Sequence, residues 1–249
     1  MKKTKKYLML SLFVTTFFNA QILKVEYEKV KIGVGKDMER LPEQVRARMI
    51  EEAKKPEKTV LYYDKGNSFY TSVEPESRKE LDKTVNEESE TKTVTKTYNY
   101  VRIPVRYYHN NGEDGIYSYH KIGDEEFYSY SKPSWKNIEY QNETQEIDNF
   151  ECKLAEVQLS NGDVAKVWYT EQIPVSSGPL SYHNFPGLVL KIEAPSFTIY
   201  ATKVSNEGKP SDLQKIDPKL KVYSGEEWEK KRVEMRTPQT RTTRKTIQL

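Results

Sequence analysis

Between Tyr98 and Val204 the chain repeats one pattern, short runs of β-branched and aromatic residues cut by breaks rich in Gly, Asn, Asp and Pro. Such runs fit pleated, half-buried surfaces and the breaks supply turn geometry, so the pattern favours antiparallel sheet built from sequence neighbours. Tyrosine, with 18 copies, points the same way. The expected fold is mainly β: a single-domain antiparallel meander, as a curved sheet or half-barrel. A short helix in the N-terminal half and a second helix at the C terminus complete it.

The residues place the elements. Strands are expected at 22–30, 59–63, 68–73, 98–101, 103–108, 115–122, 126–130, 135–146, 188–193 and 197–204. Asp64-Lys65-Gly66-Asn67 reads as a hairpin turn. After Leu41-Pro42, helix formers over 43–54 end before Pro56 and predict one short helix. Residues 74–92, rich in Glu, Lys, Ser and Thr, predict a mobile loop or weak helix.

Asn161-Gly162 supplies the two positive φ angles of a type I′ hairpin. That turn would pair Leu159 with Val164, Val157 with Lys166 and Ala155 with Trp168 on a core face. Leu154 with Tyr169 and Glu156 with Val167 would form the other face. Leu188, Leu190 and Ile192 are expected to share a face by period-two alternation. Ser224 with Glu227 forms a capping box for a helix to about Met235, and the end from Thr237 reads as disordered. The expected division is a leader over 1–20, a β-rich domain over 21–225, and a helix with a basic tail over 226–249.

The leader reading rests on Lys2, Lys3, Lys5 and Lys6 ahead of an apolar run over 8–18, with Ala20 following. That is the layout of a cleavable signal peptide, and its apolar run is too short for a membrane-spanning helix. No cysteine stands nearby to take a lipid, so the expected product is exported without an acyl anchor: periplasmic, outer-membrane-associated or secreted. The formal charge of +3 includes those four lysines, and the remainder carries 36 basic residues against 37 acidic ones. Nucleic acid is therefore set aside as a partner. Cys152 is the single cysteine, so a packed core rather than an intramolecular disulfide must hold the fold.

Catalytic signals are sparse. His109, His120 and His183 are the only histidines, none at metal-ligand spacing with another His or Cys, and no Gly-x-Ser-x-Gly elbow occurs. Cys152 lies in an expected strand without a cationic neighbour to lower its pKa. His183 reads as a surface or turn histidine and Asn110 to Gly115 as a hairpin turn rather than a calcium loop. Asp124-Glu125-Glu126 reads as a solvated turn. No catalytic residue, metal or cofactor is expected. Lys230, Lys231, Arg232, Arg236, Arg241, Arg244 and Lys245 suggest weak contact with an anionic membrane surface, about 1 kcal/mol per basic residue near such a surface.

One segment carries a family resemblance. Trp168-Tyr169-Thr170-Glu171-Gln172-Ile173-Pro174 and Asn184-Phe185-Pro186-Gly187-Leu188-Val189, with Trp135 and Cys152-Lys153-Leu154-Ala155 upstream, resemble the GLPGLI family of exported Bacteroidetes-type proteins. Asn184-Phe185 stands where that pattern has Gly-Leu, and Val189 where it has Ile. The resemblance implies a β-rich envelope protein without an assigned activity. Its motif residues Trp168, Ile173, Pro174, Gly178, Pro179, Phe185, Pro186, Gly187 and Leu188 are candidates for a binding lip. Read from the residues alone, Pro174 and Pro179 stiffen the segment, Gly178 and Gly187 permit turns, and Pro186-Gly187 fits the centre of a type II turn. Such a crossover is either a plug for the end of a curved sheet or a lip for a ligand or partner. The expected function is non-catalytic binding of an apolar ligand or an envelope protein. The alternative is a hydrolase of cell-surface peptide or glycan using scattered carboxylates or His183.

Overall fold

The computed structural model describes residues 22–32, 55–73 and 104–236, together with positions 43, 46, 47, 50 and 51. Its strands are β1 (Ile22–Lys31), β2 (Glu57–Asp64), β3 (Asn67–Ser72), β4 (Arg106–His109), β5 (Ile116–Ile122) and β6 (Glu125–Ser131). They continue with β7 (Trp135–Ile147), β8 (Phe150–Leu159), β9 (Val164–Thr170), β10 (Leu188–Ala194), β11 (Phe197–Gly208) and β12 (Lys221–Ser224), followed by helix α1 (Gly225–Arg236). The expected leader, the polar segment over 74–92, the strand over 98–101 and the C-terminal tail lie outside the described residues. Of the helix expected over 43–54, the described positions Glu43, Arg46, Ala47, Ile50 and Glu51 are helical.

All twelve strands join one sheet in the order β12-β6-β5-β4-β3-β2-β1-β11-β10-β9-β8-β7. Each pairing is antiparallel except that of β12 with β6. The single expected meander is thus two meanders, β2 to β6 and β7 to β11, joined through β1. β6 ends at Ser131 beside one edge of the sheet, and β7 begins at Trp135 on the other edge. The connection between them reaches at most ~14 Å. The sheet therefore curls until its two ends approach each other.

Burial follows from that curl. The inner face gathers Val25, Tyr27, Leu61 and Tyr70 from one half with Leu154, Trp168, Leu188 and Leu190 from the other. Alternation sends Phe69, Tyr108 and Tyr128 to the outer face of β2 to β6, where Leu213, Ile216 and Leu220 of the β11–β12 connection cover them. On the outer face of β8 to β10 lie Ala155, Val157, Val167, Tyr169 and Val189, covered by Tyr182 and Phe185. A sheet buried on both faces reads as near-continuous apolar runs, and β10 is one.

Two registers differ from expectation. At the β8–β9 turn only Gly162 has a positive φ (93°), and its N–H bonds the Leu159 carbonyl at 3.0 Å while the Leu159 N–H bonds Asp163 at 2.8 Å. That geometry is a type I turn with a Gly bulge, one residue longer than a type I′ turn. Leu154 consequently faces Trp168, Ala155 faces Val167, and Val157 faces Ala165, a one-residue slip from the expected pairs. In β10 a bulge between Val189 and Lys191 sends Leu188 and Leu190 inward but Ile192 outward, breaking the expected common face.

The bulge is held from across the sheet. The Tyr27 hydroxyl donates to the Val189 carbonyl at 2.8 Å, and burial pushes the Tyr27 phenol well above its usual pKa. Tyr27→Phe leaves that carbonyl buried and unsatisfied, with an expected cost of about 1–3 kcal/mol. A lowered urea midpoint at unchanged m checks this; an unchanged midpoint would refute the assignment.

Candidate functional site

The connection over residues 171–187, between β9 and β10, is tethered along its length. At its start Lys153 pairs with Glu171 at 2.7 Å, and the Glu151 N–H donates to the Gln172 side chain at 3.1 Å. Farther on, the Leu188 N–H donates to Ile173 at 3.1 Å and the Val189 N–H to Ser177 at 2.9 Å. Ile173, Val175 and Leu180 pack on the inner core, while Tyr182 and Phe185 lie on the outer one. Tyr182 meets the Trp135 ring at 5.0 Å, and Phe185 stacks on Tyr169 at 6.0 Å.

The structure places each motif residue. Trp168, Gly178, Pro179, Phe185, Gly187 and Leu188 are buried, Ile173 is half-buried, and Pro174 and Pro186 are exposed. The Trp168 indole donates to Glu193 at 3.2 Å, and Lys191 lies over its ring at 5.9 Å. Burial pushes the Glu193 carboxyl up, but Lys191 and the indole outweigh it and hold the group below its usual range. The glycines serve differently from expectation. Neither Gly178 nor Gly187 has a positive φ, so Pro186-Gly187 is not the centre of a type II turn. Both are glycine because of close approach: a Cβ on Gly178 would lie 2.3 Å from the Tyr182 carbonyl oxygen, and one on Gly187 1.9 Å from that of Thr170. The left-handed positions are Leu180 (φ 58°) and Asn184 (φ 69°).

His183 is no surface histidine; it is 2% exposed. Its ring meets His109 at the end of β4 at 4.8 Å, bringing together two histidines that are remote in sequence. Nδ1 lies 3.0 Å from the Ser181 carbonyl, which makes it the N–H donor, and Nε2 is sealed without a hydrogen bond of ordinary geometry. Burial and the His109 ring push its pKa down, against smaller opposing effects of Ser181 and Asp114. His120 is stacked against Phe127 and Trp228 at 5.1 and 5.0 Å, and burial likewise lowers its pKa. Burial pushes the Cys152 thiol up to about 12, so it is a core residue rather than a nucleophile. Among the described residues no group of three His, Cys, Asp or Glu side chains could hold a metal ion.

A depressed histidine pKa means that the unfolded chain binds protons first as pH falls. Stability from His183 and His120 is therefore present above their ordinary value of 6.5 and lost below it. The thermal midpoint should hold level above neutrality and fall on acidification below 6.5, well before the carboxylates titrate. A midpoint independent of pH across that window would contradict their burial.

A concavity of about 830 Å³ lies open beside α1, with Tyr130, Lys132, Trp228 and Glu229 in its walls. Lys231 nearby is engaged by Glu125 at 2.8 Å and by the Phe127 and Tyr223 rings at 5.4 and 5.7 Å, and Arg232 pairs with Glu229.

Comparison with known proteins bears on the fold more than on chemistry. Two solved structures of PNGF-II, in space groups C2 and P21, are similar with TM-scores of 0.52 and 0.51 at 15% sequence identity. They cover 87% and 85% of this chain, which spans only 33% of the PNGF-II chain. At that identity the likeness shows the fold alone. No curated protein sequence matches. Residues 110–191, about a third of the chain, match a family described as "Protein of unknown function (Porph_ging)", a stretch that contains the whole β9–β10 loop.

Proposed function

We propose that the protein is an exported, GLPGLI-like envelope protein that acts as a non-catalytic binding module, with the outward side of the β9–β10 loop as its contact rim. The observation that carries this reading is the loop's construction. Glycines wedged against backbone and anchors in two cores hold it rigid, while Gln172, Pro174, Ser176, Asn184 and Pro186 stay exposed. A long connection held in one conformation loses little entropy when a partner docks. Asn184 supports the family reading, since it takes the left-handed conformation at the position where the GLPGLI pattern has its first glycine, and asparagine tolerates that region better than most residues.

Of the two occupants expected from the sequence, an envelope protein suits the rim better than an apolar ligand. The rim is polar, and apart from Val164 the apolar side chains of β8 to β10 are packed on the two faces. A modular role agrees with PNGF-II, in which the matched fold is a third of a longer chain. The membrane-surface contact falls to Lys230, Arg236, Arg241, Arg244 and Lys245, because Lys231 and Arg232 already have acidic partners. Export is part of the proposal, with periplasm or outer membrane as the destination, and sequencing the mature N terminus should find Gln21 first.

The test of binding is photocrosslinking in intact cells. A crosslinking residue at Pro174 or Pro186 is expected to yield one common protein adduct, and one at exposed Val164 none. No rim adduct, or turnover of peptide or glycan by the purified protein, would overturn the reading.

A further inference from the structure

We propose that His109 and His183 form an acid-released latch tying the β9–β10 loop to the turns of the opposite half of the sheet. The first half of the latch is a cradle of acceptors. His109 Nδ1 lies 3.1 Å from the Gly66 carbonyl oxygen in the β2–β3 turn, and Nε2 lies 2.8 Å from the Glu113 carbonyl oxygen in the β4–β5 turn. Carbonyl oxygens only accept, so a neutral ring satisfies one of them and the imidazolium satisfies both. These two contacts fix the His109 ring between the turns and make it the wall against which His183 rests.

The second half is built for a neutral ring. His183 gives its Nδ1–H to Ser181, which leaves the lone pair on Nε2, buried and without a well-formed partner. A proton placed there is sealed from water and set against a second ring at 4.8 Å. The charged groups around it offset this only in part. From the β4–β5 turn come the backbone and the carboxylate of Asp114, with Glu113 beside it in sequence. Asp114 is already paired with Lys132 at 2.7 Å, while Glu113 takes the Asn110 side chain on one oxygen at 3.3 Å and buries the other without a hydrogen bond of ordinary geometry. The loop itself offers the Ser181 carbonyl.

Two left-handed residues bracket the part that moves. Leu180 and Asn184 hold φ of 58° and 69° on either side of Tyr182 and His183. A leucine stays in that region only while packing holds it there. Once His183 charges, the tip swings out about these two positions, and Tyr182 leaves its contact with Trp135. The latch belongs to the isolated chain and stands whether or not the rim binds a partner.

The test uses the full-length protein alone. Long-range nitrogen–proton spectra of the rings should show His183 as the neutral Nδ1–H tautomer near pH 7. Exchange of the Tyr182 and His183 amides, corrected for intrinsic rates, should rise at least about tenfold between about pH 7 and pH 5, while Val60 and Leu61 in β2 keep their protection. H183F should keep the neutral protection and lose the acid response. Should that variant fail to fold, the wild-type spectra and exchange decide the matter alone. A His183 that titrates like an exposed imidazole, or a tip whose exchange follows the whole sheet at each pH, overturns the latch.

Discussion

Gly187→Ala is expected to be the most damaging alanine substitution among the described glycines. The added methyl would lie 1.9 Å from the Thr170 carbonyl oxygen and 2.6 Å from its carbon, both backbone atoms of the neighbouring strand. No rotamer change relieves such a clash, because the obstacle is the β9 strand end itself. Either the β9–β10 pairing at Leu188 and Thr170 opens or the loop is displaced. The expected loss is about 3–5 kcal/mol, at the severe end for a single substitution. In a chain of this size that lowers the melting temperature by about 10 °C or more. By contrast, Gly162→Ala meets nothing within 4 Å and suffers only from its φ of 93°, so its effect should be much smaller. Equal melting temperatures for wild type and Gly187→Ala would mean that the loop does not approach β9 as described.

Phe185→Ala should follow closely, for a different reason. Phe185 is 2% exposed and packs with Tyr169, Tyr182 and Val189 on the outer face of β8 to β10. Truncating a buried phenylalanine costs about 3–5 kcal/mol through lost transfer energy and the cavity left behind. This substitution separates the two readings of the loop. If the loop covers the sheet, Phe185→Ala destabilises the whole protein, whereas the exposed Pro186→Ala leaves the melting temperature nearly unchanged. If the loop were only a lip, both variants would melt as wild type does and differ in binding alone.

Much of the fold was legible because its strands are local. The Asp64-Lys65-Gly66-Asn67 hairpin appears as read, with Lys65 and Gly66 both at positive φ and Asp64 facing Asn67. The Asn161-Gly162 hairpin was visible too, but its register was not. Alternation fixes register best where one face is wet, and here apolar side chains of both strands are buried on both faces. The β10 bulge escaped for a non-local reason, since its carbonyl is satisfied by Tyr27 at the far end of the chain. β12 was missed because four residues pairing parallel to β6 carry almost no pattern of their own.

The site was legible in part. Proline and glycine marked the β9–β10 loop as stiff, but the glycines answer to backbone proximity, which no local dihedral rule reveals. His183 was misplaced at the surface because it packs on His109 at the end of β4, distant in sequence. Polarity and neighbours in sequence gave no sign of that contact.

Amide exchange near neutral pH tests the central claim, that the β9–β10 loop is a fixed part of the core, most directly. The Leu188 and Val189 amides, bonded to Ile173 and Ser177, should exchange as slowly as those of Leu154 and Val167 in the strands beneath. Ser177 and Tyr182 amides exchanging at the rate of an open surface loop, while β8 and β9 stay protected, would contradict it.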